Sequence, residues 1–209
     1  MNYEIQTDIE NYSSENYLTQ NRWSSYNLII NEIIKLKPRT VLEIGPGNFI
    51  VSEILKRMNI KVKTLDFDAK LNPDFVCDIS DYKTFPNEKF DCIIASQVFE
   101  HIKYEDFIST LKNLKENTDN IILSLPYTSQ NSIFFHLHFF LPVIKQIRFS
   151  LKIYCKKVKH QFNGQHYWEI GKKFFSLRKI KKDIKNSGWK IMQNYINQQN
   201  PYHYFFILK

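Results

Sequence analysis

At 209 residues, 43% of them hydrophobic and 15% aromatic, the chain is long enough for one sizeable core and matches the length of one domain, residues 1–209. Its cysteines, Cys77, Cys92 and Cys155, are odd in number and far apart, and they lack a CxxC spacing. That argues against a disulfide framework or a cysteine zinc site and suits a reducing, cytoplasmic setting. The polar, acidic start Met1-Asn-Tyr-Glu does not read as a signal peptide, and no stretch reaches the ~18 apolar residues of a membrane span. The net charge of +8 is local: residues 1–144 sum to −5, residues 145–185 to +11 and residues 186–209 to +2. A concentrated positive segment attracts anionic partners, or else it is a solvated face.

In chain order, helical spacing of Tyr17, Trp23, Tyr26, Ile29, Ile30, Ile33 and Ile34 predicts a helix from Asn16 to Leu36, stopped by Pro38. Thr40–Ile44 reads as a strand that breaks into Gly45-Pro46-Gly47, and Val51–Met58 as the helix after it. Lys61–Leu65, Asp74–Cys77 and Phe90–Ala95 are further strands, the first two closed by Asp66 and Asp78. A helix over Ile102–Lys115 leads to a fifth strand, Asn120–Leu125, stopped by Pro126. Ser129–Lys159 is too long for an ordinary connector and rich in phenylalanine, so it is expected to be a helical insertion or lid. A basic helix over Ser176–Ser187 and strands over Trp189–Tyr195 and Tyr202–Leu208 complete the chain, the last pair antiparallel because their link is short. Strands alternating with helices predict an α/β fold with a mainly parallel sheet.

The strand–turn–helix at residues 40–58 carries the strongest chemical signal. Two glycines let backbone approach a ligand closely, and the next helix presents free N–H groups. Ligands of open α/β sheets sit at this edge. Asp66 ends the next strand, 23 residues after Glu43, where an acid suits ribose hydroxyls; Asp78 and Ile79 follow at a place suited to an adenine amino group. Position 50 is Ile, so the GxGxxG phosphate fingerprint is absent, as is a P-loop. Glu43 before the turn disfavours a phosphate and favours a cationic ligand.

Val41-Leu-Glu-Ile-Gly-Pro-Gly47, Thr64-Leu-Asp66, Val76-Cys-Asp-Ile79 and Phe90–His101 together resemble the motifs of class I S-adenosylmethionine-dependent methyltransferases, including bacterial methyltransferase-domain proteins of unassigned substrate. The resemblance implies a Rossmann-like sheet of seven strands, the last antiparallel, with helices on both faces. It implies S-adenosyl-L-methionine as cofactor, held by Glu43, Gly45, Pro46, Gly47, Asp66, Asp78, Ile79 and Gln97. Residues 38–127 would form the cofactor core, 1–37 a helical cover, 128–172 the basic aromatic insertion and 173–209 the last helix and strand pair. One departure is Phe49, where the family motif places a third glycine; it either narrows the cofactor pocket or packs under the helix.

On the acceptor side, His166 and His101 are the candidate catalytic bases, with Tyr167 and Trp168 as substrate contacts. Gln97-Val-Phe-Glu100-His101 resembles the Glu-x-x-Glu-His with which small-RNA 3′-end methyltransferases, using a later histidine as well, hold a divalent ion. Gln in place of the first Glu weakens such a site, and His136 and His138 sit in an aromatic run, so no metal ligands are expected. Tyr17, Arg22 and Trp23 either cover the cofactor or serve packing. The expected reaction is methyl transfer to an oxygen or nitrogen of a small-molecule, glycan- or lipid-linked acceptor. Two alternatives stand beside it: a non-catalytic S-adenosylmethionine-binding module and an RNA-directed methyltransferase. Peripheral membrane contact through the basic aromatic segment is compatible with all three, and the sequence carries no signal for oligomeric state.

Overall fold

The computed structural model describes residues 10, 12, 14–15, 17–142, 145–162 and 164–209. Helix α1 spans Gln20–Leu36; the expected start at Asn16 lies outside the described residues. Thr19 caps it, its hydroxyl accepting from the Arg22 N–H at 3.2 Å, and Lys37 ends it in the left-handed conformation just before Pro38. Strand β1 (Thr40–Ile44) runs into helix α2 (Ile50–Arg57), followed by β2 (Lys61–Asp66) and a two-residue β3 (Phe75–Val76). Strand β4 (Cys92–Ser96), helix α3 (Tyr104–Asn113) and β5 (Ile121–Pro126) come next. A ribbon of β6 (Ser132–Leu141) and β7 (Lys145–Tyr154), then helix α4 (Leu177–Asn186), β8 (Ile191–Ile196) and β9 (His203–Leu208), complete the order.

The seven-stranded sheet has the order β3-β2-β1-β4-β5-β9-β8. Contacts among the first five strands are parallel, and β9 is antiparallel to both β5 and β8. The strand order reverses between β1 and β4, which opens the crevice where doubly wound sheets bind ligands. Within the near-continuous apolar strands, alternation still sorts side chains between two cores. Val41, Cys92, Ile94 and Ile122 pack with Tyr26, Ile29 and Ile33 of α1 and with Val51 and Leu55 of α2. Leu42, Ile44, Ile93 and Leu123 pack with Phe107 and Leu111 of α3 and with Ile180 and Ile184 of α4. Burying each such aliphatic side chain stabilises the fold by roughly 1.5–3 kcal/mol. The result is the expected Rossmann-like α/β sheet with helices on both faces.

The insertion after β5 is not helical. β6 and β7 pair antiparallel from Ser132↔Tyr154 to Leu141↔Lys145 and form a separate two-stranded sheet. The residues explain the correction. Ile133, Phe135, Leu137, Phe139 and Leu141 recur at period two, opposite Ile147, Phe149, Leu151 and Ile153, and β-branched and aromatic side chains favour a pleated ladder. All nine of these side chains are exposed. The ribbon is tied at its base: Lys152 Nζ donates to the carbonyls of Tyr127 and Pro201 at 2.7 and 2.9 Å, and Tyr154 donates to Thr128 O at 2.9 Å. No helix among the described residues is long and apolar enough to cross a membrane.

Candidate active site

A cavity of about 540 Å³ opens at the C-terminal edge of β1, β2 and β4, within the size range of small-molecule sites. Gly45 and Gly47 line it, both with positive φ, at 66° and 55°. A Cβ on Gly45 would stand 2.6 Å from Val98 Cγ2, so backbone freedom and lack of bulk are both required there. Phe49 takes the left-handed conformation, φ 59°, that a glycine would adopt at no cost, and it does not line the cavity. Of the two expectations for this residue, narrowing of the pocket is therefore not what the structure shows.

Asp66, Asp78, Ile79 and Gln97 also face the cavity. Asp66 Oδ1 accepts from the Asp68 N–H at 2.9 Å, and burial pushes its carboxyl up to about 6. Asp78 Oδ1 accepts from the Ser80 N–H and hydroxyl at 2.8 and 2.7 Å, which closes the turn after β3. Gln97 holds φ 58° and donates from Nε2 to Ser124 Oγ at 3.1 Å. Glu43 and Pro46 belong to the same turn without lining the cavity. The Glu43 carboxylate accepts a short hydrogen bond from the Ser52 hydroxyl of α2, and burial lifts its carboxyl to about 7. From the N-terminal side the cavity is covered by Tyr12, Ser14, Tyr17 and Arg22, whose guanidinium lies 4.1 Å from the Tyr17 ring centre.

The opposite wall brings together residues far apart in sequence: His101, Gln165, His166, Tyr202 and His203. His101 Nδ1 is 3.1 Å from the Gln165 carbonyl, which can only accept, so that nitrogen carries the proton. Burial and the neighbouring His166 hold His101 down to about 4. His166 Nδ1 lies 3.1 Å from Glu169 Oε1, and the Tyr202 hydroxyl donates to the same oxygen at 2.7 Å. Burial opposes ionisation of Glu169, but these two hydrogen bonds hold its carboxyl down at about 2. Burial likewise works against a charged His166; the bond to Glu169 and the charge of Glu100 outweigh it and raise the imidazole above its ordinary value. An ionised Glu169 fixes the proton on Nδ1 and leaves Nε2 as the basic nitrogen, the logic of a carboxylate–histidine pair. The two histidine rings stand edge to face, 5.0 Å between centres.

The expected substrate contacts are corrected. Trp168 is fully buried, its indole donating to Ile102 O at 3.1 Å and its ring packed on Tyr104 and Phe107. Tyr167 stacks on Phe162, rings 4.5 Å apart, and does not line the cavity. A buried tryptophan needs a partner for its N–H, and the Ile102 carbonyl supplies one, so Trp168 anchors the loop beside His166. Glu169 and Tyr202 went unread. Glu169 had one usable signal, a carboxylate three residues after a histidine; Tyr202 had none, because its partners lie 33 and 36 residues away.

A family model described as a methyltransferase domain matches residues 20–194. Among curated proteins, the ribosomal RNA small subunit methyltransferase A of Borreliella burgdorferi is 28% identical over 142 residues, or 64% of this chain. The chain spans just 45% of that relative's length. Among solved structures, an S-adenosylmethionine-dependent methyltransferase from Clostridium acetobutylicum superposes with TM-score 0.60 at 14% identity, covering 96% of each chain. The glycopeptide N-methyltransferase MtfA, complexed with S-adenosyl-L-homocysteine, gives 0.59 at 11% identity over 88% of each. The 1,6-didemethyltoxoflavin-N1-methyltransferase of Burkholderia thailandensis gives 0.54 at 11%, over 96% of this chain and 85% of that one. At such identities the three structures speak for the shape of the fold alone.

Proposed function

The chain belongs to the methyltransferase-domain family, and on that premise we propose that it moves the methyl group of S-adenosylmethionine to an oxygen or nitrogen of a small-molecule, glycan- or lipid-linked acceptor. One observation carries the reading: a single cavity joins the glycine turn, Asp66 and Asp78 at one side to a histidine–carboxylate wall at the other. The turn at Gly45 and Gly47 admits the methionine part of the cofactor. Asp66 accepts from the ribose hydroxyls, and Asp78 with Ile79 borders the adenine. Tyr17 and Arg22 cover the methionine end, where the guanidinium meets a carboxylate.

The sulfonium is already activated, so the protein's work is orientation and exclusion of water. The acceptor heteroatom forms a bond to the methyl carbon as the carbon–sulfur bond breaks, its electron pair staying on sulfur. A hydroxyl acceptor must also lose a proton, and His166 Nε2, oriented by Glu169 and Tyr202, takes it. His101 forms the adjoining wall. The apolar ribbon β6–β7 stands beside this end and offers a surface for a lipid-linked acceptor.

Incubating methyl-labelled S-adenosylmethionine and protein with fractionated host extract tests the reading. Label should enter a small-molecule, glycan or lipid fraction, and more slowly with the His166→Gln variant; uptake into none of them counts against it. A second reading, an RNA acceptor, draws on the rRNA-methyltransferase relative and on the exposed basic face of α4. It predicts RNA binding that weakens steeply with salt and loses slope when Arg178, Lys182 and Lys185 are neutralised.

A further inference from the structure

Glu100 lies in the 3-10 turn Phe99–His101 that follows β4, beside the histidine wall and fully buried, and neither carboxylate oxygen has a hydrogen-bond partner among the described residues. A buried, unsatisfied carboxylate costs several kcal/mol unless something pairs with it. One of its oxygens and one ring nitrogen each from His101 and His166 lie within 4.8 Å of one another. We propose that Glu100, His101 and His166 bind a divalent first-row transition metal ion, with Zn²⁺ as the type case. The inference rests on the reading of this wall as the acceptor end of the cavity, and it changes the role of His166 there from proton acceptor to ligand whenever the ion is bound.

The surroundings are those of a metal site. Ligating histidines commonly donate their other ring N–H to a carboxylate or a backbone carbonyl, which fixes tautomer and ring orientation. Here His166 Nδ1 meets Glu169 and His101 Nδ1 meets the Gln165 carbonyl, the arrangement in which Nε2 serves as the ligand atom. Ligand atoms about 2.0–2.2 Å from a tetrahedral metal stand about 3.3–3.6 Å apart, so the three, which lie within 4.8 Å of one another, need to close by up to about an ångström. Two imidazoles and one carboxylate suit Zn²⁺ and its transition-metal neighbours better than Mg²⁺ or Ca²⁺, which prefer oxygen ligands throughout. Three protein ligands leave a position open toward the cavity, which His101 and His166 line.

With the ion in place, His166 ligates instead of accepting a proton. An acceptor hydroxyl takes the open position and the cation lowers its pKa, so its proton passes to solvent. The oxygen then forms its bond to the methyl carbon, the carbon–sulfur bond breaking with its electron pair left on sulfur.

The test uses full-length protein without a histidine tag, stripped with chelator and dialysed against Zn²⁺, with metal content measured. Co²⁺ in a parallel dialysis reports the ligands through its visible absorption. One tightly held equivalent is expected. Glu100→Gln and His101→Gln should each weaken binding by tenfold or more, Glu169→Gln by about 10–100-fold as a partner of a ligand, and His138→Gln not at all. Thermal unfolding shows that each variant is folded. Wild-type protein without a saturable equivalent, or binding unchanged in both Glu100→Gln and His101→Gln, would overturn the proposal. S-adenosylmethionine binding by the stripped protein, measured alongside, reports separately on the cofactor half of the cavity.

Discussion

The two halves of the cavity are built in different ways. The cofactor half comes from three consecutive strand ends, where Gly45, Gly47, Asp66, Asp78 and Ile79 fall within 35 residues of chain. Each is placed by its own strand and turn: the glycines by positive φ, Asp66 by its bond to the Asp68 N–H, Asp78 by its bonds to Ser80. The acceptor half is assembled from distant segments, with His101 after β4, Gln165 to Glu169 after the ribbon and Tyr202 before β9. Its groups are held by one another and not by a local turn. The first half therefore tolerates changes on the far wall, while the second is a network in which one loss shifts the rest.

Four changes separate the halves, the largest first. His166→Gln should reduce turnover about 10²–10⁴-fold, the usual worth of a positioned acid or base, and leave cofactor affinity within a few-fold. Comparable losses in turnover and in cofactor affinity would show that the halves are not separable. Gly45→Ala should do the reverse, weakening cofactor binding about tenfold or more and costing roughly 1–3 kcal/mol of stability, because its φ of 66° is strained for alanine and its Cβ meets Val98. Denaturant unfolding and calorimetry read the two effects; adding Val98→Ala relieves the contact but not the backbone strain.

Acidity gives the third contrast. On the proposed placement of the cofactor, the Asp66 carboxyl, raised by burial to about 6, is to accept from ribose as the anion, so affinity should hold above that pH and fall up to tenfold per unit below it. As the proton acceptor of the metal-free protein, His166 must be neutral, and its imidazole is raised above the ordinary 6.5, so turnover of the metal-free protein should climb as pH rises through a value above 6.5. Binding and rate measured over the same pH series should give two separate midpoints. The smallest effect is that of Tyr202→Phe, which removes one of the two hydrogen bonds to Glu169 Oε1. A net loss of about 1 kcal/mol predicts a several-fold drop in rate with the pH midpoint moved, and no change in cofactor affinity.

The same contrast explains what was legible in the sequence. β1, β4 and β5 are short apolar runs closed by Gly, Ser or Pro, β2 is a more polar run that ends on Asp66, and such local patterns name both the sheet and the residues at its edge. The ribbon β6–β7 was misread because Phe134-Phe135 and Phe139-Phe140 place aromatics at adjacent positions, which blurs the period-two signal of the exposed face. Trp168 was misread because only the tertiary contact with the Ile102 carbonyl shows that its N–H is buried. The meeting of Glu100, His101 and His166 depends on a loop returning 65 residues later, and no spacing in the chain encodes it.

The most direct test of the account is calorimetric titration of the wild-type protein and Asp66→Ala with S-adenosylmethionine. One equivalent should bind to the wild type, and about 10–100-fold more weakly to the variant, the worth of charge-assisted hydrogen bonds to the ribose. No binding to the folded wild-type protein, or equal binding by both, would contradict the placement of the cofactor on the glycine turn.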